Sequence, residues 1–457
     1  MTGSYNHRFF IETRDMNNIK AMELQMASEK TEPASTNLTN EEVEQYLRTA
    51  LEAGKIALEN GAETARCDSI INNILRASGS EDFVTSVIST SIIASLNGKT
   101  QIVTIKNWST NLNKISVANE VAQKVADGDL EIQEARKKLH ILDHTTNYNF
   151  LLRLLSYVVV TISMPILMNG TFVDCAAAAV CGIVMAFIDA LFRRIRIHAF
   201  ASITIQALIM VLCGSLIAIL SRGRVTLDII MTSAITPLFP GLALTNAVRD
   251  TLQGDYVSGA GRLLEANVKA LAIALGAALG LLVATLITGP LREQMLDTPY
   301  GIIADNAAIF WIYAAAALFY SAGYCILFEV TPKYIIWGSL VGCVGKTLAL
   351  FINYQTGTEV MGTFLATVAT AILAQILSRI FKTPAIPFLI AGIMALVPGG
   401  ALYTSVLLII TGSVREGGAR LLEALMIAGA IAVAIFLIDT IFLTAHRIRR
   451  KRIMKRS

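Results

Sequence analysis

The sequence predicts a mainly α-helical, polytopic membrane protein, with about ten transmembrane helices arranged as two inverted five-helix repeats behind a small cytoplasmic α/β domain. Three observations lead there. Of 457 residues, 54% are hydrophobic and 16% charged, and the mean hydropathy is +0.58, which leaves too little polar surface to clothe the soluble domains this length would otherwise suggest. The charge is also partitioned. Residues 1–149 hold 15 Lys and Arg against 20 Asp and Glu, whereas positions 150–444 carry only 30 charges in 295 residues. The apolar part, finally, repeats itself.

Residues 1–38 are polar and without apolar period, and read as a flexible tail with no continuous apolar stretch of a cleavable leader. Thr39 stands three residues before Glu42, the spacing of a capping box, so a helix begins there and runs to a stop at Gly61. A second helix extends from Ala62 to Gly79. The stretch from Phe83 to Leu96 is rich in Val, Ile, Thr and Ser, and Asn97-Gly98 separates it from a second strand-like run, the signal of a two-residue hairpin. Two further helices are expected at about 116–126 and 130–142, giving the order ααββαα over a domain at 39–149.

Crossing a hydrocarbon core of about 30 Å takes about 20 helical residues. Runs of that kind are placed at about 150–169, 171–191, 199–220, 225–248, 266–288, 307–328, 334–353, 358–378, 384–409 and 421–443. They form a first membrane repeat at 150–288 and a second at 307–443, followed by a basic tail at 444–457. Arg193 to His198 (RRIRIH) and the last twelve residues, seven of them Lys or Arg, belong on the cytoplasmic side. An even number of spans satisfies both and puts both termini in the cytoplasm of a multi-pass plasma-membrane protein. The loop SRGR at 221–224 falls outside and runs against the rule.

The repeat is read without any other protein. Pro240 to Ala266 (PGLALTNAVRDTLQGDYVSGAGRLLEA) and Pro398 to Ala424 (PGGALYTSVLLIITGSVREGGARLLEA) share 12 of 27 positions without a gap, against about three expected by chance. Five spans per copy, an odd number, invert the second copy relative to the first, the architecture of many secondary transporters. In each copy a Pro-Gly interrupts the penultimate span, at Pro240-Gly241 and Pro398-Gly399. Proline removes a hydrogen bond and glycine loosens the backbone, so the freed polar groups must face protein or a cavity. Thr245-Asn246 and Thr404-Ser405 follow closely and suit a polar solute, so these eight residues are the candidate substrate pathway; a plain packing kink is the rival reading.

Ionisable residues in spans are costly and so are candidates for ion coupling or gating. Lys346 and Asp439 are the deepest; Asp174 and Asp228 lie near helix ends. Asp189 has Arg193 four residues on, the spacing of a helical ion pair. Arg262 with Glu265 and Arg420 with Glu423 repeat an i,i+3 pair that can close at the membrane edge or act in gating. His140 and His144 are one turn apart, but without a third ligand nearby they suggest a solvated face rather than a metal site. The six cysteines form no CxxC pair, and no nucleotide-binding or hydrolase motif is present. No metal, cofactor or nucleic acid is expected, nor an enzyme. Energy must then come from ion or substrate gradients.

Gly61-Ala62-Glu63-Thr64 followed by Arg66, the hairpin after it, the helix pair ending in EARKKLHIL, and the two Pro-Gly segments together resemble the threonine/serine exporter family over nearly the whole chain after residue 38. Cys67-Asp68 stands where that family often has Val-Glu. The resemblance implies export of threonine and serine driven by the proton motive force, with protons as coupling ion; some split relatives are associated with dicarboxylates such as succinate. A dicarboxylate would demand several pore-facing cations, and only Lys346 is deeply placed, which favours the amino acid. Two other readings stay open: a membrane-anchored enzyme or sensor that binds a metabolite at Glu63, Thr64 and Arg66, and a passive channel. A homo-oligomer is compatible with this plan. Gly61 also has a plain reading as a helix-ending residue, with Glu63 at the dipole-favoured start of the next helix.

Overall fold

The computed structural model describes residues 38–288 and 307–454, apart from positions 107, 144, 146, 147, 196, 382, 384 and 411. The N-terminal tail up to residue 37, His144 and the junction between the halves at 289–306 therefore lie outside the described residues.

The capping box forms as its spacing demands. The Glu42 side chain accepts from the Thr39 amide at 2.8 Å, the Thr39 hydroxyl accepts from the Glu42 amide at 3.3 Å, and helix α1 runs Asn40–Glu59. Gly61, at φ +98°, ends it, with the Ala62 amide donating to the Ala57 carbonyl at 3.0 Å. Helix α2, Thr64–Arg76, packs against α1 so closely that a Cβ on Gly54 would collide with Ile71.

The Val/Ile/Thr/Ser stretch is not one strand but two. Strands β1 (Phe83–Ile88) and β2 (Ser91–Leu96) are joined by Ser89-Thr90, and β3 (Lys99–Thr104) follows the Asn97-Gly98 turn, in an antiparallel sheet of order β1-β2-β3. The expected order ααββαα is thus corrected to ααβββαα. Ser89-Thr90 contains no Gly, Pro, Asn or Asp, whereas Asn97 and Gly98 both take the positive φ that their hairpin requires. Ile92, Ala94 and Leu96 alternate inward from β2 into a core shared with Leu47, Leu51 and Ile71. Helices α3 (Leu112–Ala126) and α4 (Ile132–Asp143) complete this region.

The apolar remainder is helical: α5 (Phe150–Leu167), α6 (Phe172–Ile195), α7 (Ala199–Leu220), α8 (Leu227–Ile235), α9 (Gly241–Leu252) and α10 (Tyr256–Thr288), then α11 (Ala307–Leu327), α12 (Ile335–Thr356), α13 (Glu359–Phe381), α14 (Ile386–Met394), α15 (Gly399–Ile410) and α16 (Val414–Met454). Among the described residues, eight helices are long and apolar enough to cross a membrane. The pair α8 and α9, bent by 57°, makes a ninth if taken as one span. The corresponding segment of the second half is divided into α14 and α15. The chain is accordingly a polytopic membrane protein with a small N-terminal sheet.

The two halves pack alike. Within the first, α5 lies on α6, α7 on α10 and α9 on α10; within the second, α11 lies on α12, α13 on α16 and α15 on α16. Between them, α5 meets α11, α9 meets α16 and α10 meets α15. Arg153, in the first turn of α5, forms an ion pair with Glu329, just past the end of α11. The start of α5 thus lies beside the finish of its counterpart. The same segment docks on the N-terminal region: the Leu112 amide donates to the Phe328 carbonyl at 2.9 Å and the Asn111 amide nitrogen to Glu329 Oε2 at 2.6 Å.

Candidate functional site

The two helix breaks share one backbone device. The Gly241 amide donates to the Phe239 carbonyl, and the Gly399 amide to the Val397 carbonyl, each at 2.9 Å, an i to i+2 turn around the proline. They also interlock. Val397 fills the space over Gly241 and Phe239 the space over Gly399, leaving no room for a Cβ at either glycine. A carbonyl at the first break is satisfied from the other half, by the Tyr324 hydroxyl donating to Thr236 at 3.0 Å.

Beyond the first break, the last turns of α9 carry Arg249 and Asp250 into a buried cluster of charge. Arg249 pairs with Glu63 of the N-terminal region at 3.3 Å and with Asp439 of α16; Asp439 also accepts from the Gln375 amide of α13 at 2.8 Å. One guanidinium therefore touches the N-terminal region and both membrane halves. Glu63 has a second partner in Arg66 at 2.9 Å. Burial disfavours the Glu63 carboxylate, but Arg249 and Arg66 outweigh it and hold its pKa at about 2, below the ordinary 4.5. Thr64 donates to Asp250 from its amide and its hydroxyl at 3.4 and 3.3 Å. Asp250 Oδ2 lies 2.8 Å from Arg262 Nε but off the hydrogen-bond axis, so that contact is Coulombic. Arg262 donates to the Ala62 carbonyl at 2.5 Å, and Asn246 to the Gly61 carbonyl at 3.2 Å. The Gly61-Ala62-Glu63-Thr64 segment is thereby seated on α9 and α10.

Glu63, Thr245, Asn246 and Arg249 line a cavity whose opposite wall is aliphatic, from Ile386, Leu389, Ile393 and Met394 of α14 and Ile435 of α16. The cavity holds about 20 Å³, room for ordered water.

Of the residues singled out in sequence, Thr245, Asn246 and Glu63 meet at this cavity, and Asp439 stands behind it. Pro240, Gly241, Pro398 and Gly399 form the interlocked breaks. Thr404 spends its hydroxyl on the Gly400 carbonyl at 2.9 Å, and Ser405 is buried. Lys346 and Asp228 are part-buried on α12 and α8, and among the described residues neither makes an ion pair. Asp189 and Arg193 pair at 2.8 Å, as their spacing predicts. The repeated i,i+3 pair is corrected in one copy. Arg420 does meet Glu423 at 2.9 Å, but Arg262 turns to Asp250 and Glu265 takes Lys269 at 2.6 Å instead. The N-terminal region covers Arg262, and a covered guanidinium needs partners that an exposed one finds in water. Asp174 caps: it accepts from the amides of Thr171 and Thr226, both at 2.7 Å.

Sequence reasoning missed Arg249 and Asp250. They hide inside the repeat, where the second copy has Leu407 and Leu408, and the signal was that mismatch: two charges facing two leucines at equivalent positions.

Two like halves meeting at paired helix breaks, with buried charge beside them, define a multi-pass membrane protein of the transporter kind. Residues 48–284 match a family model described as "Putative threonine/serine exporter", and residues 313–441 a second described as "Threonine/Serine exporter, ThrE". The chain belongs to the threonine/serine exporter family, a family of transporters, with one model in each half. It is 21% identical over 400 residues to the "Probable threonine/serine exporter" of Mycobacterium tuberculosis, covering 86% of this chain and 75% of that one. It is 22% identical over 346 residues to the "Threonine/serine exporter" of Corynebacterium glutamicum, covering 75% and 69%. No solved structure matches the chain.

Proposed function

We propose that this protein is a secondary active exporter of small hydroxylated amino acids, threonine and serine, that works by alternating access of two inverted membrane repeats under the proton motive force. The observation that carries the reading is the cavity beside the first helix break, lined by Thr245, Asn246 and Arg249 and closed by Glu63. Broken helices at matching positions of two repeats are where secondary transporters place their cargo.

The inversion is supported by the Arg153 to Glu329 ion pair, which sets the beginning of α5 against the end of its counterpart α11, and by the reciprocal packing of the two breaks. On this plan residues 39–149 form a cytoplasmic domain, 150–288 and 307–443 are the repeats, and both termini are cytoplasmic in the plasma membrane. Arg249 then acts as a latch on the cytoplasmic side, because rocking the halves apart must break its contact with Asp439. Asp439 and Asp228 are the acids offered for proton coupling, with Lys346 and the Arg420/Glu423 pair as further candidates for gating.

Vesicles reconstituted with the full chain and loaded with labelled threonine test this reading. Efflux should rise under an imposed pH gradient and saturate with cargo; no efflux of threonine, serine or any small acid would end it. A dicarboxylate is the weaker reading, since among the described residues the ion-paired acids and bases around the cavity balance.

A further inference from the structure

Glu63 belongs to the N-terminal α/β region, yet it lines the same cavity as Thr245, Asn246 and Arg249 of the membrane helix α9. The cavity therefore presents one carboxylate and one guanidinium, from two different parts of the protein, 3.3 Å apart. The Arg249 side chain is only 9% exposed, and its Nε is buried and has no hydrogen-bond partner among the described residues. Leaving a charged donor's N–H unmet in the interior is costly, so a group that accepts from it has a ready place.

Each member of the pair is held by a second ion of opposite sign. Arg66 supports Glu63 at 2.9 Å and Asp439 supports Arg249. Either can therefore stay ionised when their mutual contact opens. Among the described residues, the acids Glu63, Asp250 and Asp439 balance the bases Arg66, Arg249 and Arg262, so this ion-paired cluster is neutral. A zwitterion entering between Glu63 and Arg249 replaces one ion pair with two and leaves that neutrality intact. A monoanion, a dianion or a simple amine brings uncompensated charge into the interior, which is strongly disfavoured.

Building on the export reading above, we propose that the cargo is gripped at its α-ammonium by Glu63 and at its α-carboxylate by Arg249, so that the N-terminal region supplies half of the transport site. Binding exchanges the 3.3 Å Glu63–Arg249 contact for one contact at each end of the cargo. The second repeat cannot duplicate the grip, because Leu407 stands where Arg249 does. One cargo molecule per chain is the consequence.

The test uses the full chain in vesicles and three probes related by single deletions: threonine, 3-hydroxybutyrate, which lacks the ammonium, and 1-amino-2-propanol, which lacks the carboxylate. Flux of labelled threonine in the wild type should be competed by unlabelled threonine and serine and left unchanged by a tenfold excess of either analogue. Glu63→Gln should raise KM for threonine at least tenfold with little change in maximal flux, and Glu63→Asp should restore part of it. Competition by 3-hydroxybutyrate as strong as by threonine in the wild type overturns the proposal while keeping the export reading. Threonine flux with an unchanged KM in Glu63→Gln does the same. Wild-type vesicles that move no amino acid end the export reading and this grip with it. Should Glu63→Gln fail to fold, the wild-type competition decides alone.

Discussion

Phe239 occupies the space that a side chain at Gly399 would need, and its repeat counterpart Val397 does the same at Gly241. Each break is thus keyed by the residue that precedes the proline of the other. Inserting a methyl into such packing costs about 1–3 kcal/mol. Gly399→Ala should lower the thermal stability of the detergent-purified protein by that order, and adding Phe239→Ala should return part of the loss, because the clash is between those two groups. A loss in the double variant equal to the sum of the two single losses would show that the residues do not press on each other.

Arg249→Leu installs the residue found at the equivalent place in the second repeat, but it takes from Asp439 its ion-pair partner and leaves Glu63 with Arg66 alone. Removing one partner of a buried ion pair costs about 3–5 kcal/mol. The variant should expose the N-terminal region to protease within the folded protein, with cleavage near Gly61 to Arg66 rising at least tenfold. Unchanged cleavage would mean that Arg249 does not hold that region down.

Glu63 fixes the acid limit of the same junction. Its pKa falls from 4.5 to about 2 on docking, so its contribution is fully present above pH 4.5 and is lost as the pH drops toward 2. Energy transfer between dyes at positions 128 and 357, on cysteines introduced into a cysteine-free chain, should stay constant from pH 5 to 8 and change only below about pH 4.5. A transition near neutral pH would assign the docking to some other group.

The inverted arrangement makes a topological prediction. Cysteines at Arg222 and Gly357, in the turns after α7 and α12, should react in intact cells with a reagent that cannot cross the membrane. Cysteines at Asn97 and Arg193 should react only after permeabilisation. Labelling of position 97 in intact cells would put the N-terminal region on the wrong face and remove the cytoplasmic latch.

Much of this was legible in the chain itself. The capping box at Thr39 and Glu42, the hairpin at Asn97-Gly98 and the two Pro-Gly interruptions are each set by neighbours within four residues, and local chemistry decides them. The Ser89-Thr90 turn escaped because it is made of residues that serve as well in a strand. The ionic junction escaped for a different reason. Glu63 is separated from Arg249 by 186 positions, and Arg249 from Asp439 by 190, so no periodicity connects them. Only the folding of a soluble-looking segment against two membrane halves brings the three together. Arg262 shows the same effect: its sequence neighbour Glu265 was available, but burial under Ala62 redirected it to Asp250.

The ledge formed by Phe328, Glu329 and Val330 carries one last implication. It receives Leu112 and Asn111 from the N-terminal region, Arg153 from the first half, and the Tyr148 hydroxyl at the Val330 carbonyl. If the chain were severed between Thr288 and Ala307, the two polypeptides would still carry matching faces there, and co-expressed fragments should purify as a pair. The N-terminal region would then serve as the matchmaker that lets two separately made pieces find each other and reassemble.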